Sequence, residues 1–590
     1  MSRIFSLIAL SCALLAMVAC GGGGSTVVPT PTPTPTPAAL TVTPASATVQ
    51  LSAFQQFSAT GTGAPVNWSV NGVPGGNAIV GTITTSGLYT APATFPTPNQ
   101  FNVTAISQAN LSLSANAPTT VVYPNSNKNQ EVGPIFLGSS GGNNLDTNAT
   151  GCCIGTLGSL LQRGGTFFIL GNNHVLARSS FAAANEAIMQ AGASLCFPAT
   201  QVAALTKQAA LKPSPCTGVC TGNAPSNVDA AIATISSTTA VDNVAGVPTG
   251  NILELGTAGP TSIAPAPPSA TTTTPAAVLL ANVQVAKSGR TSGLTCANLL
   301  SASTDGITVA YDSSCGGATA FNAVFNGQMI VNSGTFSAGG DSGSLIVAAD
   351  TARPVGLLYA GNATSTVANP IQDVITAFTT AGPTVPTFVG GADHAVSCKP
   401  TASANSAQVG AQSAPVSAHQ QQIAAGVRDR HVGSLMASDS SIRSVTVGGS
   451  FDAPGEAALV IELSAVPQVR IPAVIEGVRT KLVYADGVNA PAFTEPEFNR
   501  GLAAKDAHRS EFFQPGFQGI GVGRSDDAPG ETTIVIYTIT GETHAPVPAV
   551  LDGVRTKVVD GERFRSSGWN ERLESKPASC AKPQTASSKK

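Results

Sequence analysis

The apolar runs of this chain are short, and glycine, proline or small polar residues break them at close intervals. Ala47-Thr48-Val49-Gln50-Leu51, Val66-Asn67-Trp68-Ser69-Val70 and Phe101-Asn102-Val103-Thr104-Ala105 alternate apolar and polar residues. That is the period-two pattern of strands with one buried face. Thr166 to Leu170 and Ile534 to Ile539 are nearly continuous apolar runs of strand length. With 61 Gly and 41 Pro among 590 residues, the expected class is mainly β and multidomain. Hydrophobic residues make up 42%, enough to supply several cores. Only 10% of residues are charged and the net charge is −3. No basic surface is available to neutralise phosphates, so nucleic acid is excluded as a partner.

The N-terminus reads as an export signal over residues 1–19. Arg3 gives a short positive start, and Ile4 to Val18 is an apolar run too short for a comfortable membrane span. Met17-Val18-Ala19-Cys20 resembles the bacterial lipobox, in which a Cys is acylated before cleavage. By that resemblance Cys20 is the lipidation site, and Gly/Pro-Thr residues 20–38 form a tether from a membrane. Gly21 follows in place of the Asp of an inner-membrane retention signal. The expected location is therefore the cell envelope, at the outer membrane or cell surface. Of 11 cysteines, those beyond the signal and the anchor are expected to pair in an oxidising compartment. Cys216 with Cys220, and Cys296 with Cys315, are the pairings that proximity suggests.

Residues 39–123 are expected to form a β-sandwich. The run Gly87-Leu88-Tyr89-Thr90-Ala91-Pro92, with Trp68 upstream, resembles bacterial Ig-like domains of cell-surface proteins. The resemblance implies a spacer, with surface-glycan or cell-wall contact as the functional alternative, and Trp68 is expected in the core.

Residues 124–392 carry the chemistry. Gly339-Gly340-Asp341-Ser342-Gly343-Ser344 sets a serine among glycines, which lets the backbone turn tightly and aim amides at one point. Thr166 to Leu170 runs into Gly171-Asn172-Asn173-His174-Val175-Leu176. Of the six histidines, only His174 precedes Ser342 in the chain. Between them, Asn227-Val228-Asp229-Ala230-Ala231-Ile232 puts Asp229 at the head of an apolar strand. A buried aspartate there needs a partner, and an imidazole supplies one. Asp242, Asp305 and Asp312 sit in loop-like contexts and are expected to be solvated. In order, these segments resemble the motifs of trypsin-like serine peptidases, in a bacterial branch with Asn-Asn before the histidine.

The resemblance implies a double β-barrel with His174, Asp229 and Ser342 as catalytic residues. It also implies an oxyanion hole from the amides of Gly340 and Ser342, and an Asp341 that turns inward. Lys287 to Thr295 resembles the strand opening the second barrel, and Asn369 to Phe378 the closing strand and terminal helix. Val355 to Gly361 resembles the strand lining the specificity pocket. Phe336, Tyr359, Ala360 and Gly361 are thereby assigned to that pocket, which implies small or apolar P1 residues. The Pro/Thr-rich stretch Gly259 to Pro275 is expected to be an exposed loop or a self-cleavage site. No metal cluster, phosphate loop or dinucleotide fingerprint is present in the sequence, so no metal or cofactor is expected.

Residues 393–418 read as a linker. Beyond it the chain repeats itself. Val447-Gly448-Gly449-Ser450-Phe451-Asp452-Ala453-Pro454-Gly455-Glu456 is matched by Val522-Gly523-Arg524-Ser525-Asp526-Asp527-Ala528-Pro529-Gly530-Glu531. Ile471 to Lys481 is matched by Val547 to Lys557. A helical stretch precedes each copy, over His419 to Met436 and Glu495 to Phe513. Two small α/β modules packed as a pair are expected, at 419–492 and 493–570, before a disordered tail at 571–590. Asp452, Asp527, Glu456 and Glu531 are expected on turns as solvated carboxylates, in preference to a cation site. The function expected is an exported, lipid-anchored serine endopeptidase acting on polypeptides. The alternative is a catalytically silent surface-binding or adhesion protein that uses the barrel as a scaffold.

Overall fold

The computed structural model describes residues 40–566, other than 51–52, 62–64, 93–95, 97–99, 123–126, 129–130, 132–133, 147–153, 192–198, 215–226, 257–264, 313–318, 333, 380–384 and 399–414. The signal segment, Cys20, the 20–38 tether, Cys216, Cys220, Cys315 and the 571–590 tail lie outside the described residues, as do 399–414 of the 393–418 linker. The chain divides into two compact units at Val121/Val122. No described helix is long and apolar enough to cross a membrane.

In the first unit a five-stranded sheet runs Ala47–Gln50, Ser114–Val122, Gln100–Ser107, Val66–Val70, Val73–Pro74. A four-stranded sheet runs Phe54–Gln56, Leu88–Thr90, Gly81–Ile83, Gly76–Asn77. Aromatic side chains fill the space between them. Tyr89 of the smaller sheet stands 6.1 Å from Phe101 of the larger, and Phe57 lies 6.4 Å from both Trp68 and Tyr89. Trp68 is a core residue here.

The second unit begins with an antiparallel sheet rolled into a half-barrel. Its order is Gly155–Thr156, Ser140–Asn143, Ala187–Ala191, Ala199–Gln208, Ala231–Ile235, Thr166–Gly171, Ser159–Arg163, Thr387–Phe388. A closed six-stranded barrel follows. Val285–Gly289 pairs Gly293–Asp305, which pairs Gln328–Asn332, then Ser365–Pro370, Pro354–Gly361 and Leu345–Ala348, which returns to Val285–Gly289. The helix Ile371–Phe378 buries Ile371, Val374 and Phe378 on one face. They join Leu160, Ile169 and Leu170 of the half-barrel and Leu345 and Leu357 of the barrel in one apolar cluster. Burial of this kind stabilises by about 25 cal/mol per Å² of apolar surface.

Two expectations fail here. Cys296 bonds to Cys398, 102 residues away, and not to Cys315. Sequence proximity misled because the chain past the terminal helix returns to the barrel, with the Val396 amide donating to the Ala349 carbonyl at 2.8 Å. Closing so long a loop removes about 4–5 kcal/mol of unfolded-state entropy in the chain-entropy picture. Of the Gly259 to Pro275 stretch, residues 259–264 lie outside the described residues; in the rest Ser269 is buried, Ala270, Thr271 and Thr274 are exposed, and the Thr274 hydroxyl caps the helix Pro275–Ala281. Asp305 is buried, not solvated. It takes the Lys505 ammonium at 2.7 Å, and a buried charge persists only with such a partner.

Each C-terminal repeat forms a sheet of the same order. In the first, Ile442–Gly449, Ala457–Leu463, Val478–Tyr484 and Val474–Ile475 lie side by side. In the second, Phe517–Arg524, Thr532–Ile539, Val554–Gly561 and Val550–Leu551 do so. Helices Ala418–Ser438 and Glu495–His508 precede them. The first sheet stands by itself, whereas the second pairs Phe517–Arg524 with the barrel strand Gly293–Asp305 and so extends the barrel sheet. The repeats grip each other through their turns. Asp527 accepts from the Ser450 hydroxyl and from the Phe451 amide at 2.7 Å. Asp452 accepts from the Ser525 hydroxyl and from the Asp526 amide at 2.9 Å. These two aspartates are fully buried, against the expectation of solvated turns. The residues do form turns, but each turn is inserted into the other copy. No group of residues suited to hold a metal ion occurs among the described residues.

Candidate active site

Thr166–Gly171 lies antiparallel to Ala231–Ile235, with Gly171 opposite Ala231. The end of one strand therefore meets the start of the other. This brings His174, in the single helical turn Asn173–Leu176, against Asp229. Nδ1 of His174 is 2.6 Å from Oδ2 of Asp229, and the His174 amide donates to Oδ1 at 3.1 Å. With Nδ1–H directed at the carboxylate, Nε2 is left as the basic nitrogen. The two asparagines before the histidine fix the turn. Asn172 donates to the Asp229 carbonyl at 2.7 Å, and Asn173 to the Ser180 hydroxyl and the Ala209 carbonyl at 2.8 and 2.7 Å.

Asp229 is completely buried. Besides the histidine it takes the Tyr311 hydroxyl on Oδ2 at 2.8 Å, and its amide donates to Asn369 at 2.9 Å. Asn369 in turn donates to Gln328 at 2.7 Å. Burial above all, and then the Asp229 charge, hold the Tyr311 hydroxyl well above the usual phenol range. It therefore stays protonated and remains a donor to the carboxylate.

The Ser342 loop is built on a buried ion pair. Asp341 turns inward and faces Lys287 at 3.2 Å, both side chains being wholly buried. Its carboxylate also accepts from the amides of Thr291, Ser292 and Ala338 at 2.7, 3.1 and 3.0 Å and from the Ser292 hydroxyl at 2.6 Å. The Thr291 hydroxyl holds the Gly339 carbonyl at 2.6 Å. Since C=O and N–H of a trans peptide point in opposite directions, the Gly340 amide is aimed away from that contact. Gly340 has φ +91°, and a Cβ there would stand 2.5 Å from both Arg290 Nη1 and Thr291 Oγ1, so only glycine fits. Among the described residues the amides of Gly340 and Ser342 donate no hydrogen bond. Unpaired amides beside a serine hydroxyl are the kind of donor an oxyanion requires. The Ser342 carbonyl accepts from the Thr156 amide at 2.8 Å, which ties the loop to the half-barrel.

Phe336, Tyr359, Ala360 and Gly361 are all buried, but not as one pocket. Phe336 packs with Met329, Val331 and Leu358, beneath the Lys287 ammonium at 5.9 Å. Tyr359 and Ala360 pack with Tyr311, Phe325 and Phe564. The cleft edge of Pro354–Gly361 is filled by the short strand Phe564–Arg565, and the Ser342 hydroxyl donates to the Ser566 carbonyl at 3.3 Å.

Sequence reasoning passed over Lys287, Tyr311, Asn369 and Ser566. Lys287 had a signal, being a lysine inside the otherwise small and apolar Val285-Ala286-Lys287-Ser288-Gly289, where a charge needs a buried partner. Tyr311 and Ser566 had none, since only the fold brings them to the cleft.

No protein-family profile and no curated protein matches the chain. Solved structures do. A glutamic-acid-specific serine protease with a histidine triad in substrate binding matches at 16% identity and TM-score 0.27, over 43% of this chain and 100% of its own. Thermobifida fusca protease A matches at 14% and 0.26, over 44% and 100%. An alpha-lytic protease homologue matches at 15% and 0.25, over 42% and 97%. These structural neighbours are serine proteases.

Proposed function

We propose that the chain is a serine endopeptidase in which Ser342 is the nucleophile, His174 the general base and then acid, and Asp229 the group that orients the imidazole. The observation that carries this reading is the bond of His174 Nδ1 to buried Asp229 at 2.6 Å, with the Ser342 carbonyl tied to the same half-barrel by the Thr156 amide at 2.8 Å. Ser342 Oγ attacks the peptide carbonyl while His174 Nε2 takes its proton and passes it to the leaving amine. Water then hydrolyses the acyl-enzyme by the same route. The amides of Gly340 and Ser342 stabilise the oxyanion, and the Lys287–Asp341 pair keeps their loop in place. Proton transfer of this type contributes about 10²–10⁴-fold.

A preference for small or apolar P1 residues is what the resemblance of Phe336 and of Val355 to Gly361 to the segments lining a specificity pocket implies. Export and lipid attachment at Cys20 put the enzyme at the cell envelope, with the 39–123 region as an Ig-like spacer between membrane and catalytic unit.

The test is covalent labelling with a fluorophosphonate probe over a prolonged incubation. Wild type is expected to label at Ser342, and folded Ser342→Ala and His174→Ala variants are expected to remain blank. A folded wild type that never labels would return the protein to the surface-binding reading.

A further inference from the structure

The strand Phe564–Arg565 lies where a peptide would add itself to the edge of Pro354–Gly361. It runs antiparallel to that strand, with Arg565 opposite Gly361. Its other edge pairs parallel with Ile307–Asp312, Val309 opposite Phe564 and Ala310 opposite Arg565. It is therefore held on both flanks. Just before it, the Glu562 carbonyl accepts from Asn362 at 2.7 Å and from Gln518 at 3.1 Å. Phe564 is 1% exposed and shares a cluster with Tyr311, Tyr359 and Tyr537. Strand addition of this kind is a recurrent way to bind an extended peptide: the backbone supplies affinity and buried side chains supply selectivity.

The segment ends on the nucleophile in a blocked arrangement. The Ser342 hydroxyl donates to the Ser566 carbonyl oxygen, and among the described residues it makes no bond to His174. The amides of Gly340 and Ser342, which would grip a scissile carbonyl oxygen, do not grip this one. The Ser566 amide and hydroxyl both donate to the Ala310 carbonyl, each at 3.2 Å, which anchors the residue to the barrel. An attacking hydroxyl must give its proton to a base, and here that proton goes to the Ser566 carbonyl oxygen and not to His174.

We infer that Phe564–Ser566 is an intramolecular inhibitor, which occupies the strand position of a peptide substrate and withholds the Ser342 hydroxyl from His174. The inference rests on the peptidase reading. Observed activity then scales with the fraction of molecules whose cleft has shed the segment, and the competitor that opens the cleft is an extended peptide.

The experiment compares the full chain with Arg565→Pro and Phe564→Ala, by rate of fluorophosphonate labelling and by amide hydrogen exchange over 562–566. Arg565 is exposed, so proline there strips an N–H from the ladder without removing a core side chain. Phe564→Ala is the second variant should the first fail to fold. In wild type the Ser566 amide is expected to be protected and labelling slow. In either variant protection is lost and labelling is expected to accelerate about tenfold or more. Equal labelling rates for wild type and a folded variant overturn the inference while leaving the peptidase reading intact. So does free exchange at Ser566 in wild type, or release of a fragment cut after Ser566, which would make the segment a substrate. Protection lost in the variants, with no labelling of any folded form, removes the peptidase reading and this inference with it.

Discussion

The first repeat presents Ile442–Gly449 at the outer edge of its sheet, and that strand is buried at only two positions, while the matching Phe517–Arg524 of the second repeat is buried along nearly its whole length. At their mutual face the copies behave alike, since Arg479 donates to the Thr556 carbonyl at 2.7 Å and Arg555 to the Thr480 carbonyl at 2.6 Å. They differ at the outward edge. Gly519, Gly521 and Gly523 alternate along the second edge strand, where the first has Ser444, Thr446 and Gly448. A Cβ at Gly521 would stand 2.4 Å from Thr304 Oγ1, and one at Gly523 2.4 Å from the Leu300 carbonyl oxygen. Three missing side chains thus let one copy lie against the barrel, and two hydroxyl-bearing residues leave the other facing solvent. A repeat can keep its fold and its partner contact while the edge it does not share is free to take on another role.

That difference can be broken at its root. Gly521→Val, at the position where the first copy has Thr446, drives a side chain into Thr304 and Ser301, so about 3 kcal/mol of stability should go, with the barrel and second repeat separating. Thr446→Val, on the exposed edge of the first copy, should stay within about 0.5 kcal/mol of wild type. Urea unfolding of both proteins gives the contrast, and similar losses in the two would refute the close-approach account.

The likeness at the shared face is tested by Asp527→Ala. It strands the Ser450 hydroxyl and the Phe451 amide, at a cost of about 1–3 kcal/mol. Asp452→Ala, which strands Ser525 and the Asp526 amide, should cost a similar amount if the exchange of turns is symmetric. Denaturant midpoints that differ widely between the two would show an unequal grip.

The smallest effect is on pH. Burial first, and then the Asp527 charge, push the Asp452 carboxyl up from 3.8 to about 6, against the pull of Lys557. A carboxyl that binds its proton more tightly when folded stabilises fully below the unfolded value, and that contribution is lost as pH rises. The window runs from about 4 to about 6. Relative to wild type, Asp452→Asn should therefore gain melting temperature across this window. A flat difference between the two would show that Asp452 carries its charge at no cost.

The strands and turns were legible because they rest on local chemistry. Alternation marked the first unit's strands, the Gly340-Asp341-Ser342-Gly343 turn marked a backbone that must bend sharply, and the 75-residue recurrence marked the two modules. What escaped was the contacts that only folding creates. Buried Asp452 and Asp527 look like any aspartate beside Ala-Pro-Gly, because the groove that receives each belongs to the other copy. Asp305 looked solvated because Lys505, its partner, lies 200 residues downstream. Lys287 could have been found, since a charge inside a small-residue strand requires a counter-charge. Tyr311 could not, because a tyrosine on a strand reads as core until Asp229 is placed beside it.

The pairing of Gly293–Asp305 with Phe517–Arg524 also bears on how the molecule can be cut. A chain ended at residue 392 would retain the closed barrel but leave residues 301–305 with a bare row of amides and carbonyls. Such an edge recruits strands from neighbouring molecules. The double barrel is therefore not a separable piece: the edge of its second half is covered by a strand more than 200 residues away in sequence.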